Sequence, residues 1–76
     1  MTKLQEARQA AGLSQSQLAE KAGIKIRPIQ AYEQGWRNLE GAGIEVLLKF
    51  CVALNCKLED IIDSEECLEL IKKLPN

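Results

Sequence analysis

The side chains with the clearest capacity for chemistry lie in the segment GIKIRPIQAYEQG, residues 23–35. If this segment is helical, Ile29 faces the interior. The outward positions then carry basic or amide side chains: Lys25, Arg27, Gln30 and Gln34. A guanidinium donates two parallel hydrogen bonds from a planar fork, and a carboxamide both donates and accepts. Such a surface suits the binding of a partner by charge and hydrogen bonds.

Catalytic chemistry is poorly represented in this chain. It contains no histidine, which excludes Ser/His and Cys/His nucleophile pairs and histidine-ligated metals. Cys51, Cys56 and Cys67 lie in apolar segments without a CxxC pair, so we interpret them as small core residues. We therefore expect no enzymatic activity, no cofactor, no metal site and no small-molecule substrate.

Length and composition indicate one small globular domain. The chain has 76 residues, 46% of them apolar, and single copies of Trp, Tyr and Phe, so aliphatic residues must build the core. No apolar run approaches the roughly 18 residues of a membrane span, and no secretory signal follows Met1. We expect a cytoplasmic protein that does not associate with membranes.

The net charge of −1 conceals an uneven distribution. Residues 1–38 hold six basic and three acidic side chains, whereas residues 39–76 hold four basic and eight acidic ones. One half can therefore face a polyanion that the other half repels. An ordinary mixed, solvated surface explains the same counts, because the positive excess is modest.

Helix signals recur along the whole chain and predict an all-α fold. Thr2 with Gln5, and Ser14 with Gln17, have the spacing of capping boxes, and a glycine follows each of the two short helices. A third helix of about two turns ends at Gly35. Pro28 is compatible with it, because a helix that starts at residue 26 or 27 holds the proline in its first turn.

The second half continues the helical pattern. The segment IEVLLKFCVAL is apolar almost throughout, so we predict a central core helix that is buried on most sides and ends near Asn55. The segment KLEDIID predicts one or two further turns. Ser64 can cap a last amphipathic helix, whose apolar positions are Cys67, Leu68, Ile71 and Leu74.

Residues 4–62 resemble the Cro/cI-type, XRE-like helix-turn-helix family. The resemblance is carried by GLSQSQLAEKAGI, by Ile29, by YEQG and by LLKFCVALNCKLEDII. Gln15 and Gly23 match the family glutamine that opens the hairpin and the glycine of its turn. There is also a physical reason for the pattern, because closely crossing helices need a small contact residue, here Ala19.

The resemblance implies a fold and a partner. The fold is a five- to six-helix lambda-repressor-like DNA-binding domain over residues 1–76, with a core at 2–63 and a C-terminal amphipathic helix at 64–74. The partner is double-stranded DNA, read in the major groove by the helix around 26–34. Family members usually bind palindromic sites as homodimers. The tail from Cys67 to Leu74 can contribute to such a dimer or cover the core, and a tail that partly does both is favoured.

The resemblance also implies which residues contact DNA. Arg27 is the expected guanine reader and Gln30 the expected adenine reader, and a DNA contact of Arg27 is favoured over the alternative of a solvated surface arginine. Gln15 is either a phosphate ligand at a helix start or a solvated residue. The remaining expected DNA contacts are Lys25, Ile26, Ala31, Gln34, Arg37 and Asn38. Ile26 either meets a thymine methyl group or belongs to the core.

Two neighbours of these residues have other expected roles. We expect Glu33 to be structural and paired with Arg8 or Arg37. Trp36 has three open roles, as a phosphate ligand, a dimer contact or a hydrophobic cap on Tyr32, and the cap is favoured.

Two departures from the family pattern affect the expected DNA contacts. Lys25 replaces the usual Ser or Thr cap and cannot accept hydrogen bonds from the helix start. The loop at residues 36–43 is also a few residues longer than usual. The favoured function is a sequence-specific DNA-binding transcriptional regulator, specifically a repressor. The alternative is an antitoxin-like or adaptor module with weak or no DNA affinity, which the acidic second half and the apolar Ile26 and Ala31 favour.

Overall fold

The computed structural model describes residues 1–75, which form five α-helices and no strand. The helices are α1 (Lys3–Ala10), α2 (Gln15–Ala22), α3 (Ile26–Gln34), α4 (Ile44–Leu54) and α5 (Glu65–Lys72). Single 3₁₀ turns at Leu39–Gly41 and Leu58–Asp60 flank α4. The predicted all-α fold of five to six helices is confirmed.

Short polar residues begin the helices where the sequence predicts. The Ser14 hydroxyl accepts from the backbone N–H of Gln17 at 3.1 Å, and the Gln17 side chain accepts from the Ser14 N–H at 2.8 Å. Thr2 accepts from the N–H of Gln5 at 3.3 Å, which is half of the same arrangement. These bonds satisfy donors that have no partner inside the helix and so fix where α1 and α2 begin.

The core is a single aliphatic cluster around one aromatic ring. Its fully buried members are Leu4, Leu18, Ile29, Phe50 and Ile61, so α1 to α4 and the residue that follows the second 3₁₀ turn all contribute. The Tyr32 ring meets Phe50 edge-on, with ring centroids 6.3 Å apart, in a favourable aromatic geometry. This packing holds the inner side of α3 against the core, and the opposite side of the helix is exposed to solvent.

Helix α4 differs from the prediction of a core helix buried on most sides. Its inner side buries Leu47, Phe50, Ala53 and Leu54. Its outer side leaves Ile44, Leu48 and Val52 exposed at 62%, 51% and 80%. We call these three residues the apolar face of α4. The prediction was wrong because the other elements cover only the inner side of this helix.

Helix α5 closes the other side of the core. The Ser64 hydroxyl accepts from the N–H of Cys67 at 3.2 Å, and Glu40 accepts from the N–H of Ser64 at 3.1 Å, which ties the start of α5 to the 3₁₀ turn that precedes α4. Cys67, Leu68 and Ile71 pack against the core. Within the described residues, no helix combines the length and apolar character required to cross a membrane.

Candidate nucleic-acid interface

Helices α2 and α3 form a hairpin around a left-handed glycine. Gly23 has φ 70°, a conformation that favours glycine, and the following N–H of Ile24 donates to the carbonyl of Ala19 at 3.0 Å. Leu18 on α2 and Ile29 on α3 are fully buried in the shared core. The hairpin is therefore fixed by local turn chemistry and by core packing together.

Pro28 lies within the first turn of α3 and does not break the helix. The helix begins at Ile26, so the missing N–H of Pro28 has no intrahelical acceptor to lose. Lys25 precedes the helix in an extended conformation, and its side chain makes no capping hydrogen bond. The helix start consequently depends on the fixed φ of proline rather than on a side-chain cap.

The outward side of α3 carries four of the nine residues for which the sequence predicts DNA contact. Ile29 and Glu33 are buried, so the helical period turns the opposite side to solvent. We call Arg27, Gln30, Ala31 and Gln34 the outward face of α3. Of the nine predicted contacts, five are exposed: Lys25, Arg27, Gln34, Arg37 and Asn38. The other four are half-buried: Gln15, Ile26, Gln30 and Ala31.

A shallow groove runs beside this face. It has a volume of about 520 Å³ and is lined by Arg27, Pro28, Gln30, Ala31, Trp36 and Arg37. Trp36 is 76% exposed, so the expected hydrophobic cap on Tyr32 is wrong. The reason is local: the N–H of Trp36 closes the end of α3 on the carbonyl of Ala31 at 2.9 Å, and the indole extends into solvent.

Glu33 anchors α3 from the inside. Its carboxylate accepts from Arg8 Nε at 2.7 Å and from Arg8 Nη2 at 3.0 Å, which confirms the expected pairing with Arg8. The Glu33 side chain is 1% exposed and that of Arg8 is 11% exposed. The hydrogen bond to Glu33 raises the pKa of Arg8, so the guanidinium stays charged.

Gln15 joins the same cluster. Its amide donates to Glu33 Oε1 at 3.0 Å, and Arg8 Nη1 donates to the carbonyl of Leu13 at 2.8 Å. The start of α2 is thereby joined to α1 and α3 through one buried carboxylate. Sequence reasoning did not anticipate this bond, because nothing in the local pattern brings residues 15 and 33 together. The second amide N–H of Gln15 is a further donor.

The exposed cations near α3 form no ion pair with any residue that the structure describes. Among residues 1–75, ion pairs join Arg8 to Glu33, Lys49 to Glu45 and Lys72 to Glu69. Lys25, Arg27 and Arg37 belong to none of these pairs, and the one acid of α3, Glu33, is buried and paired with Arg8. The hairpin region presents a positive surface although the whole chain is slightly acidic.

The surroundings of the Cys51 and Cys56 thiols disfavour the nucleophilic thiolate. Burial raises the pKa of Cys51, and burial with nearby acidic charge raises the pKa of Cys56 to about 11, so both are protonated at neutral pH. Within the described part of the chain, no group of three His, Cys, Asp or Glu side chains could hold a metal ion. What the arrangement offers is hydrogen bonding and charge on a rigid helix.

Comparison with known proteins agrees with this geometry. Residues 4–61 match the family model described as helix-turn-helix, in the group of Cro/cI-type, XRE-like domains. The match includes α1 to α4 and the second 3₁₀ turn. Comparisons with curated proteins and with solved structures return no match.

Proposed function

Because the chain belongs to the Cro/cI-type, XRE-like helix-turn-helix family of DNA-binding transcription regulators, we propose that it is a sequence-specific repressor. It would bind double-stranded DNA with α3 in the major groove. Bound in this way, it would block access to the operator by occupancy alone. In this proposal the regulator acts in the cytoplasm and performs no catalysis.

The side chains that contact base edges in this proposal are those of the outward face of α3. Arg27 can donate two hydrogen bonds to O6 and N7 of guanine, and Gln30 can both donate to and accept from adenine. Gln34 continues the same face one turn later. Ile26 and Ala31 present apolar surface suited to a thymine methyl group.

Phosphate contacts surround these base readers. Lys25 precedes α3, and Arg37 and Asn38 follow it, so all three are exposed at its ends. Gln15 stands at the start of α2, where backbone donors and the helix dipole attract an anion. Contacts of this kind position the protein on the duplex without reading sequence.

One observation carries the proposal: Arg27 on the outward face of α3, with Lys25 and Arg37 at the two ends of the helix, is exposed beside an open groove, and none of the three forms an ion pair among residues 1–75. A buried Glu33 keeps the acid of this helix away from the DNA side. A homodimer on a palindromic site is part of the proposal, because one hairpin contacts few bases.

A genome-fragment selection with the purified protein tests the proposal, because it detects binding and reports the site together. We expect enriched fragments that share a palindromic sequence, with affinity that falls steeply as salt rises. Arg37→Ala should reduce the slope of log affinity against log salt by about 1, and Lys73→Ala should leave it unchanged. Failure to retain any duplex at low salt would instead support the protein-interaction alternative.

A further inference from the structure

The apolar face of α4 is an unpartnered surface. Ile44, Leu48 and Val52 follow one another at intervals of four residues, so they lie on one side of a continuous helix. All three are more than half exposed, and three large aliphatic side chains side by side form a contiguous patch. Apolar patches of a few hundred Å² are characteristic of interaction sites. None of these residues lines the groove beside α3.

We propose that this face joins two copies of the chain through an antiparallel, two-fold contact between their α4 helices, centred on Leu48. The proposal rests on the homodimer of the proposed function and adds the surface that forms it. The spacing is symmetric about Leu48, so a two-fold axis there pairs Leu48 with the partner's Leu48. The same axis pairs Ile44 with the partner's Val52. A self-complementary surface of this kind is what a two-fold interface requires.

The charges beside the face fit the same arrangement. Glu45 and Lys49 are exposed on one flank, where they form an intrahelical pair at 3.6 Å. With a rise of about 1.5 Å per residue, Glu45 lies about 4.5 Å along the helix from the two-fold axis at Leu48. The partner's Lys49 lies about 1.5 Å from the two-fold axis in the same direction, so the two residues are offset along the helix by about 3 Å. Each Glu45 therefore faces a positive charge of the other copy.

Helix α5 is a poorer candidate for the dimer contact. It directs Cys67, Leu68 and Ile71 into its own core. Of its exposed apolar residues, Leu70 stands on the helix and Leu74 lies beyond its last residue, Lys72. The α4 face instead offers three such residues within one helix. A single helix face is small compared with a standard interface, so the dimer is weak alone and strengthened by two adjacent DNA half-sites.

Sedimentation equilibrium of the full chain over a range of concentrations, without DNA, tests this interface. We expect the wild type to associate into dimers and Leu48→Asp to raise the dimer dissociation constant at least about tenfold, because the contact would bury an unpaired charge. Leu70→Asp is the matched control and should associate as the wild type does. Leu48 is exposed, so circular dichroism melting should find Leu48→Asp as stably folded as the control.

Charge reversal tests the register. Glu45→Lys alone and Lys49→Glu alone should each weaken the dimer about threefold to tenfold, and the double variant should restore it. If the face instead bound a different protein, the double variant would not recover the binding that each single variant loses. A monomeric wild type, unaltered association of Leu48→Asp, or no restoration in the double variant would overturn the interface. These readouts need no DNA, so failure of DNA binding would refute the proposed function separately.

Discussion

The outward face of α3 and the apolar face of α4 are both open surfaces on short helices of nine and eleven residues. They differ in what they could bind. The first carries a guanidinium and two carboxamides beside a groove, and the second carries only aliphatic side chains with a charged pair at its flank. The first suits a polar, anionic ligand and the second suits another apolar surface. The two helices thus present surfaces of different chemistry on one small fold.

The largest expected effect comes from removing the internal support of α3. Arg8→Ala should lower the free energy of unfolding by about 3–5 kcal/mol, because it leaves the buried Glu33 carboxylate without its bidentate partner. Urea denaturation measures the loss. Lys72→Ala removes an exposed ion pair and should change stability by less than about 0.5 kcal/mol. Equal effects of the two variants would mean that Glu33 does not anchor α3.

A smaller effect separates the stability of α3 from its binding. Lys25→Ser supplies the missing side-chain cap and should raise the free energy of unfolding by about 1 kcal/mol. It should also weaken DNA binding, since the positive charge at the helix start is lost. Thermal melting and gel retardation measure the two quantities on the same sample. If Lys25→Ser is more stable than the wild type and binds DNA with the same affinity, Lys25 does not contact DNA.

The smallest effect is spectroscopic and compares the two faces directly. Trp36 is the one tryptophan of the chain and lines the groove beside α3. Its fluorescence should become protected from iodide quenching when duplex DNA is added. Protection should not change between wild type and Leu48→Asp without DNA, because α4 lies outside that groove. If Trp36 becomes protected from iodide as the protein concentration rises in the absence of DNA, Trp36 lies in a dimer contact instead.

The sequence predicts the hairpin well because its determinants are local. Gly23 needs a left-handed conformation, Ser14 and Gln17 satisfy each other's backbone donors, and Pro28 fits the first turn of α3. Each of these features depends on residues within a few positions of one another. The pairing of Glu33 with a basic residue could also be expected, because an acid on the inner side of α3 requires a partner.

The features that were missed depend on distant parts of the chain. Because α4 is apolar almost throughout, its sequence does not indicate which side the other helices leave uncovered. The exposed face can be identified only from the packing of the whole fold. Gln15 meets Glu33 across the fold. Trp36 is apolar, but the turn that closes α3 directs it outward. Hydropathy describes each residue and not the neighbours that the fold gives it.

The central claim is that α3 reads base edges through Arg27, and its most direct test is the affinity of Arg27 variants for a selected site and for a scrambled duplex. At fixed salt, Arg27→Ala should lose about 1–3 kcal/mol on the selected site and little on the scrambled one. Arg27→Lys should keep non-specific affinity but lose specificity, because an ammonium lacks the planar fork. Lys73→Ala should match the wild type. An unchanged ratio of specific to non-specific affinity in Arg27→Ala would contradict the claim.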